Sequence, residues 1–298
     1  MKIAITGSSG FIGSSLVHFL EKEGHSILRL VRRTPQKDNE VYWNPDEAKS
    51  NFSPLEGIDA VVHLAGENIM KKCWSEEQKK ELWKSRVDAT LHLCTSLEHL
   101  KTPPRVLVAA SALGYYGHRG DETLTEESPP GKGFAPKMCI AWEAATLSLA
   151  NKGSRVVNMR FGIVLGKDGG TLKRVLPIFK KGLGGKLGNG RQWMSWIAIE
   201  DLDRALLHAI QTETLFGPVN AMSPNPMTNA EFTKTLGKVL HRPAIFCIPA
   251  QVLRLAIGEA ADEIILASAK VWPKKLIESG FRFYRPQLES ALAEVLKK

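Results

Sequence analysis

Gly7, Gly10 and Gly13 stand three residues apart, as G-x-x-G-x-x-G, a spacing suited to bringing bare backbone against a phosphate. Without a Cβ the chain can turn tightly and approach a pyrophosphate, and a helix starting inside the pattern would aim its unpaired N–H groups at the negative charge. Gly7, Gly10, Phe11, Ile12 and Gly13 are therefore candidate ligands of a dinucleotide. Val31, Arg32 and Arg33 follow as the chain leaves its second apolar run. An NAD-preferring chain usually places an acid here for the ribose 2′-hydroxyl, but no acid occurs before Asp38. A guanidinium pairs bidentately with phosphate, so the pattern predicts NADP(H) over NAD(H). The plain alternative for both arginines is solvated surface charge.

The glycines need a strand before them and a helix after them. Lys2 to Thr6 is a short apolar run with β-branched residues, and Phe11 to Glu23 has helical periodicity closed by Gly24. Further strands are expected at Ile27 to Val31, Val41 to Trp43, Asp59 to Leu64, Arg105 to Ala110 and Arg155 to Phe161. Helical stretches are expected at Trp74 to Leu100 and Met138 to Ala150. That alternation predicts an α/β chain, a Rossmann-type doubly wound parallel sheet. Leu64, Ala65 and Gly66 end the fourth strand with mostly small side chains, where a cofactor needs close approach. Beyond Gly182 the character changes to a glycine-rich loop. A capping box at Thr228 to Glu231 and helical patterns at Val252 to Lys270 and Pro286 to Lys298 follow. The reading assigns residues 1–215 to the nucleotide-binding domain, with 162–200 contributing to the pocket. Residues 216–298 form a smaller C-terminal α+β region on the substrate side.

The chain has 298 residues, enough for a large core, and 43% hydrophobic and 24% charged residues, as in ordinary globular proteins. No apolar stretch is long enough to span a bilayer, and the chain opens directly on a strand. Cys73, Cys94, Cys139 and Cys247 are scattered without C-x-x-C spacing, and the eight histidines show no ligand spacing. The expectation is a reduced, cytoplasmic protein with no metal site. The net charge of +9 comes in separated basic pairs, with no nucleic-acid motif. It suits an anionic dinucleotide and a small-molecule substrate, and neither a nucleic acid nor a membrane is expected as partner. A monomer or homodimer is expected.

Seven segments in order, TGSSGFIG at the start, HLAGENI at 63–69, SALGYYG at 111–117, WEAA at 142–145, RFGIVLG at 160–166, GNGRQWMSWI at 188–197 and MTNAEF at 227–232, resemble the extended short-chain dehydrogenase/reductases. They are most similar to the atypical branch of NAD-dependent epimerase/dehydratase-like proteins that ends in a small domain of unknown function. The resemblance covers the whole chain and implies a Rossmann domain beneath a substrate-covering C-terminal part. In typical members a Tyr and a Lys, spaced Y-x-x-x-K, carry the proton chemistry and hold the nicotinamide ribose. Aligned on Glu143, those places fall at Ala135 and Cys139, so the pair is absent. Aligned on Tyr116-Gly117, the usual Ser/Thr place falls at Ala112, one residue after Ser111.

Tyr115, Tyr116 and Ser111, at the carboxyl end of the fifth strand, are the candidate catalytic residues. Loop-packing aromatics are the alternative for the two tyrosines. Arg86 takes the place of a family Asn that faces the cofactor, with Glu81 on the same helix near enough to orient it or simply a solvated charge. His63 is expected to be a packed, hydrogen-bonded residue. Gln192, Trp193, Ser195 and Trp196 fall where relatives build the substrate pocket, though Trp is equally a core residue. The expected activity is that of an NADP(H)-dependent oxidoreductase or epimerase acting on a small molecule, possible substrates including a nucleotide sugar. The alternative is an NADPH-binding sensor without turnover.

Overall fold

In the computed structural model, which describes residues 1–48 and 50–297, the apolar runs become seven strands of one parallel sheet. In chain order they are β1 (Lys2–Thr6), β2 (Ser26–Val31), β3 (Glu40–Tyr42), β4 (Ala60–His63), β5 (Val106–Ala112), β7 (Arg155–Phe161) and β12 (Gly217–Ala221). Their order across the sheet is β12-β7-β5-β4-β1-β2-β3, and every neighbouring pair is parallel. The order reverses between β1 and β4, which is where a doubly wound sheet opens a crevice at the carboxyl ends of its strands.

The strands are continuous apolar runs because both faces are covered. Ile3 and Ile5, Val106 and Val108, and Val157 and Met159 enter one core. It also receives Leu16 and Leu20 from helix α1 (Phe11–Lys22). Ala4, Val61, Leu107 and Val156 enter the opposite core with Trp43, Phe52 and Leu55. Helices α2 (Glu76–Trp83) and α3 (Ala89–Glu98) follow β4, joined by a π-helical turn at Lys84–Asp88. Helices α4 (Phe134–Ala144) and α5 (Leu147–Ala150) follow β5 and the strand pair of β6 (Thr123–Leu124) with β15 (Lys270–Val271).

The remaining elements sit past β7. Strand β8 (Ile163–Gly166) pairs with β11 (Trp196–Ala198), β9 (Gly185–Leu187) with β14 (Phe246–Ile248), and β10 (Trp193–Met194) with β13 (Met227–Thr228). Helices α6 (Gly170–Lys180), α8 (Asn229–Leu240) and α11 (Leu288–Leu296) enclose a separate core around Leu172, Trp196, Phe232 and Leu292. Helix α7 (Ile199–Gln211) packs on α1, α9 (Ala250–Ile257) lies on the surface, and α10 (Lys274–Glu278) packs on β12.

Two boundaries differ from the sequence reading. Strand β12 is the seventh strand of the main sheet, so a division after residue 215 cuts through that sheet, and Leu276 and Phe281 return to the main core. The helix expected over Val252 to Lys270 is α9, ended by Gly258 at φ 62°, then a π turn at Ala261–Ile265, and finally Lys270 in β15. The capping box at Thr228 and Glu231 is formed, with both reciprocal hydrogen bonds. No helix among the described residues is long and apolar enough to cross a membrane.

Candidate functional site

The three glycines do different work. Gly7 has φ 67°, and a Cβ there would lie 2.9 Å from the backbone of Leu64 and Ala65. At Gly13 a Cβ would overlap the Gly7 carbonyl oxygen and come within 2.9 Å of Ser8 Cα. These two let α1 start tight against the end of β1. Gly10 is different: it is exposed, its φ of −75° is open to any residue, and a Cβ would meet only the Gly7 oxygen, at 3.2 Å. Gly10 is also the N-cap of α1, so the free N–H groups of Phe11, Ile12 and Gly13 converge beside that open space. The Phe11 ring fills a cradle of Gly166, Gly169 and Gly170, where a Cβ on either of the first two would collide with it and one on Gly170 would come to 3.3 Å, so Phe11 offers a ligand its backbone only. Ile12 packs on the main core.

At the end of β2 the two arginines separate. Arg33 is paired bidentately with Glu40, at 2.6 and 2.8 Å, and that contact, with the Gln36 N–H, holds the Glu40 carboxyl down at about 2. Arg32 is exposed and has no ion pair among the described residues. The Val31 carbonyl accepts from the Trp43 N–H, which fixes the strand end.

At the end of β4 the N–H groups of Leu64 and Ala65 both donate to Thr6 Oγ1 at 3.1 Å. Their amides are thus committed, and only Gly66 is open. His63 is wholly buried between Thr6 and Thr90, and burial pushes its pKa down to about 4, so it is neutral and scaffolding. Arg86 lies in the π turn against Gly66, 3.7 Å from where a Cβ would be. Its guanidinium donates to the Glu67 carbonyl at 2.7 Å and to Ser85 Oγ at 3.3 Å, and sits 5.3 Å from the Trp142 ring. Only neutral oxygens hold this buried cation, and burial lowers its pKa. A single-turn π bulge in a helix often marks a ligand site. Glu81 does not orient Arg86: it is exposed, and five residues along a helix carry it to another face.

The end of β5 overturns part of the expectation for catalysis. Tyr116 has no exposed surface. It accepts from Arg160 Nη1 at 3.0 Å and donates to Asn220 Oδ1 at 2.7 Å, and burial pushes its pKa up to about 12. It is a strut, unable to reach a ligand. Ser111 is buried and donates to Glu143 Oε1 at 2.7 Å. Glu143 in turn holds Arg160 bidentately at 2.7 and 2.8 Å. Tyr115 remains half-buried, stacked on Arg160 with the guanidinium carbon 3.4 Å from its ring centre, and its hydroxyl takes no part in these bonds. Ala135 and Cys139 face the turn at Leu113–Tyr116: a Cβ on Gly114 would lie 3.5 Å from Ala135 Cβ and 3.6 Å from Cys139 Sγ. Burial pushes the Cys139 thiol up to about 12, so it is neither base nor nucleophile.

Sequence reasoning missed the Glu143–Arg160 pair, because residues 17 apart on a helix and a strand give no spacing signal. It also missed Glu263, which reaches back from the C-terminal segment to cap α4, accepting from Phe134 and Ala135 N–H at 2.9 and 2.7 Å. Three of the four expected pocket residues are structural. Trp196 is fully buried and donates to the Asn225 carbonyl, Gln192 to the Leu187 carbonyl, and Ser195 to the Ala269 carbonyl. Trp193 is half-exposed and donates to Asp121 at 2.7 Å. A cleft of about 500 Å³ opens beside the start of α4, lined by Lys80, Trp83, Phe134 and Lys137 and by Lys79 with its ion-pair partners Glu76 and Glu259. No cluster of metal-ligating side chains occurs among the described residues.

Comparison with known proteins agrees with this geometry. The profile of the NAD dependent epimerase/dehydratase family matches residues 3–220. The chain belongs to that family. A second profile, a domain of unknown function (DUF1731), matches residues 248–295. The epimerase family protein Mb2239 of Mycobacterium bovis is 42% identical over 290 residues, spanning 97% of this chain and 96% of that protein. YfhF of Bacillus subtilis is 36% identical over 300 residues, spanning 99% and 98%. The crystal structure of human epimerase family protein SDR39U1 (isoform 2) with NADPH superposes with a TM-score of 0.93 and 33% identity, covering 100% of both chains. The UDP-N-acetylglucosamine 4-epimerase of Bacillus cereus, at 19% identity and a TM-score of 0.78 over 99% and 98% of the two chains, shares the fold.

Proposed function

We propose that this member of the family binds NADP(H) and works as an oxidoreductase on a small molecule. One observation carries the reading: Gly10 leaves open space at the free N–H groups of α1, and Arg32, at the end of the neighbouring strand β2, makes no ion pair among the described residues. The backbone of residues 10–13 fits a pyrophosphate, Arg32 fits a 2′-phosphate, and Gly66 with Arg86 fits the sugar-phosphate beyond it. The human relative crystallised with NADPH supports the same assignment. When bound, the dinucleotide supplies hydride exchange. The chain's own part is to hold, orient and deliver a proton. Tyr115 is the hydroxyl left uncommitted at the end of β5, with the Arg160 guanidinium stacked against its ring. In the cleft beside α4, Lys80 and Lys137 make no ion pair among the described residues and suit an anionic substrate.

The second reading, a sensor without turnover, is favoured by one feature: Ala135 and Cys139 occupy the two places that face the turn after β5. The test is a substrate screen that follows NADPH absorbance, preceded by NADPH and NADH titrations of the full chain. Tight NADPH binding with turnover abolished by Tyr115→Phe supports the first reading. Tight binding with no turnover across the screen supports the second, and no NADPH binding sinks both.

A further inference from the structure

The chain's excess positive charge is carried by two segments of the sequence. Residues 169–199 and 232–258 contain ten Lys and Arg and no Asp or Glu. The rest of the chain, with 30 basic and 31 acidic residues, is almost neutral. The two segments are folded against each other. Strand β14 pairs with β9, Arg242 Nε donates to the Lys180 carbonyl at 3.0 Å, and a Cβ on Gly182 would touch Pro243 at 3.4 Å. All ten basic side chains are exposed. Lys238 and Arg254 are paired with Glu289 and Asp262, and the other eight make no ion pair among the described residues.

The same two segments also expose apolar side chains. Seven of the sixteen large apolar side chains exposed among the described residues fall in these two segments. Leu255 is 91% exposed and Ile245 82%, joined by Leu183, Phe246 and Val252. Helix α9 has no buried residue at all, and Val252, Leu255 and Ala256 form a stripe along it. Contiguous exposed apolar surface marks an interaction site.

We propose that this face is a peripheral docking surface for an anionic phospholipid bilayer. Charge complementarity selects the occupant. A second copy of the chain would place the same unneutralised positive face against itself, as two-fold contacts do. A nucleic acid would use the basic side chains but leave Leu255, Ile245 and Val252 without apolar cover. An anionic membrane uses both: headgroups meet the lysines and arginines while α9 and the residues around Phe246 enter the acyl boundary. A surface contact of this kind needs no spanning helix, so it stands beside the composition that led the sequence to be read without a membrane partner.

The test is co-sedimentation of the full chain with vesicles of phosphatidylcholine alone or with phosphatidylglycerol added. The expected result is pelleting with phosphatidylglycerol vesicles only, reversed by high salt. Lys180→Gln with Lys181→Gln should weaken it on the order of thirtyfold. Ile245→Asp with Leu255→Asp should weaken it about tenfold or more. Both double variants should keep parental NADPH titrations and far-UV spectra, since none of the four residues touches the glycine loop. No pelleting of the parent, or pelleting unchanged in both variants, overturns the proposal. Retention on immobilised polyglutamate with no vesicle binding also overturns it, in favour of an acidic protein partner.

Discussion

Replacing Gly10 with Val should abolish dinucleotide binding and leave the fold nearly intact, whereas Gly13→Ala should damage the fold itself. The structure sets the two magnitudes apart. At Gly10 the backbone is extended and a Cβ meets a single oxygen at 3.2 Å, a contact that a few tenths of an ångström relieve. The remaining cost is a poorer N-cap, about 1 kcal/mol, or a fall in Tm of roughly 2–4 °C for a chain this large. At Gly13 the new methyl would overlap backbone on two residues, and backbone cannot step aside, so about 3 kcal/mol or more is lost. For the ligand the ranking inverts. The valine branches would occupy the space in front of the Phe11 and Ile12 N–H groups. Each charge-assisted hydrogen bond contributes about 1.5–3 kcal/mol, so losing two lowers affinity by roughly a hundredfold to ten-thousandfold. The assay pairs a thermal melt with an NADPH titration by nicotinamide fluorescence. A folded Gly10→Val protein with parental affinity would refute the assignment of that space to the pyrophosphate.

Arg32→Ala should weaken NADPH tenfold or more and leave NADH unchanged, because Arg33 is already spent on Glu40; an equal loss for both cofactors in titration would contradict this. Tyr116→Phe should cost about 1–3 kcal/mol of stability in urea unfolding, since it strands Arg160 Nη1 and Asn220 Oδ1 in the interior. Under native conditions a thiol reagent should label Cys73 and Cys247 and spare Cys94 and Cys139, and Cys139→Ser should leave any turnover unchanged. Loss of turnover in folded Cys139→Ser would make that thiol catalytic. Burial raises the Asp203 carboxyl to about 7 from its ordinary 3.8. The folded state therefore holds a proton that the unfolded chain releases, and stability from this group is full below pH 3.8 and lost as pH rises through 7. Asp203→Asn should accordingly raise Tm at pH 8 more than at pH 5, and a uniform or negative effect would show that the carboxyl is ionised in the fold.

The parts of the site that are legible in sequence are those whose physics is local. Gly7 needs a positive φ and Gly13 a bare Cα because strand, turn and helix are contiguous, so the spacing of three glycines states the requirement directly. The Thr228–Glu231 capping box closes over four residues and is readable for the same reason. The misreadings share the opposite property. Position after β5 credits Tyr116 with proton chemistry, but its partner Asn220 lies 104 residues away, on a strand whose place in the sheet no periodicity reveals. Membership of one predicted helix credits Glu81 with orienting Arg86, but five residues carry it to another face, and Arg86 in the π turn at Lys84–Asp88 donates to the Glu67 carbonyl.

Burial explains the remaining differences, and it also bears on chemistry. Gln192, Ser195 and Trp196 have polar atoms suited to a substrate, but each already satisfies a backbone carbonyl inside the C-terminal core. A buried polar group left unpaired costs more than its hydrogen bond gains, so the fold commits such groups first and leaves to the ligand only what stays free. By that criterion the free groups are the N–H groups of α1, Arg32 and the Tyr115 hydroxyl, with no partner for the last two among the described residues. Two of these three suit phosphate or sugar oxygens and one can carry a proton. The site is therefore built mainly to hold an anionic dinucleotide, and its catalytic question narrows to a single phenol.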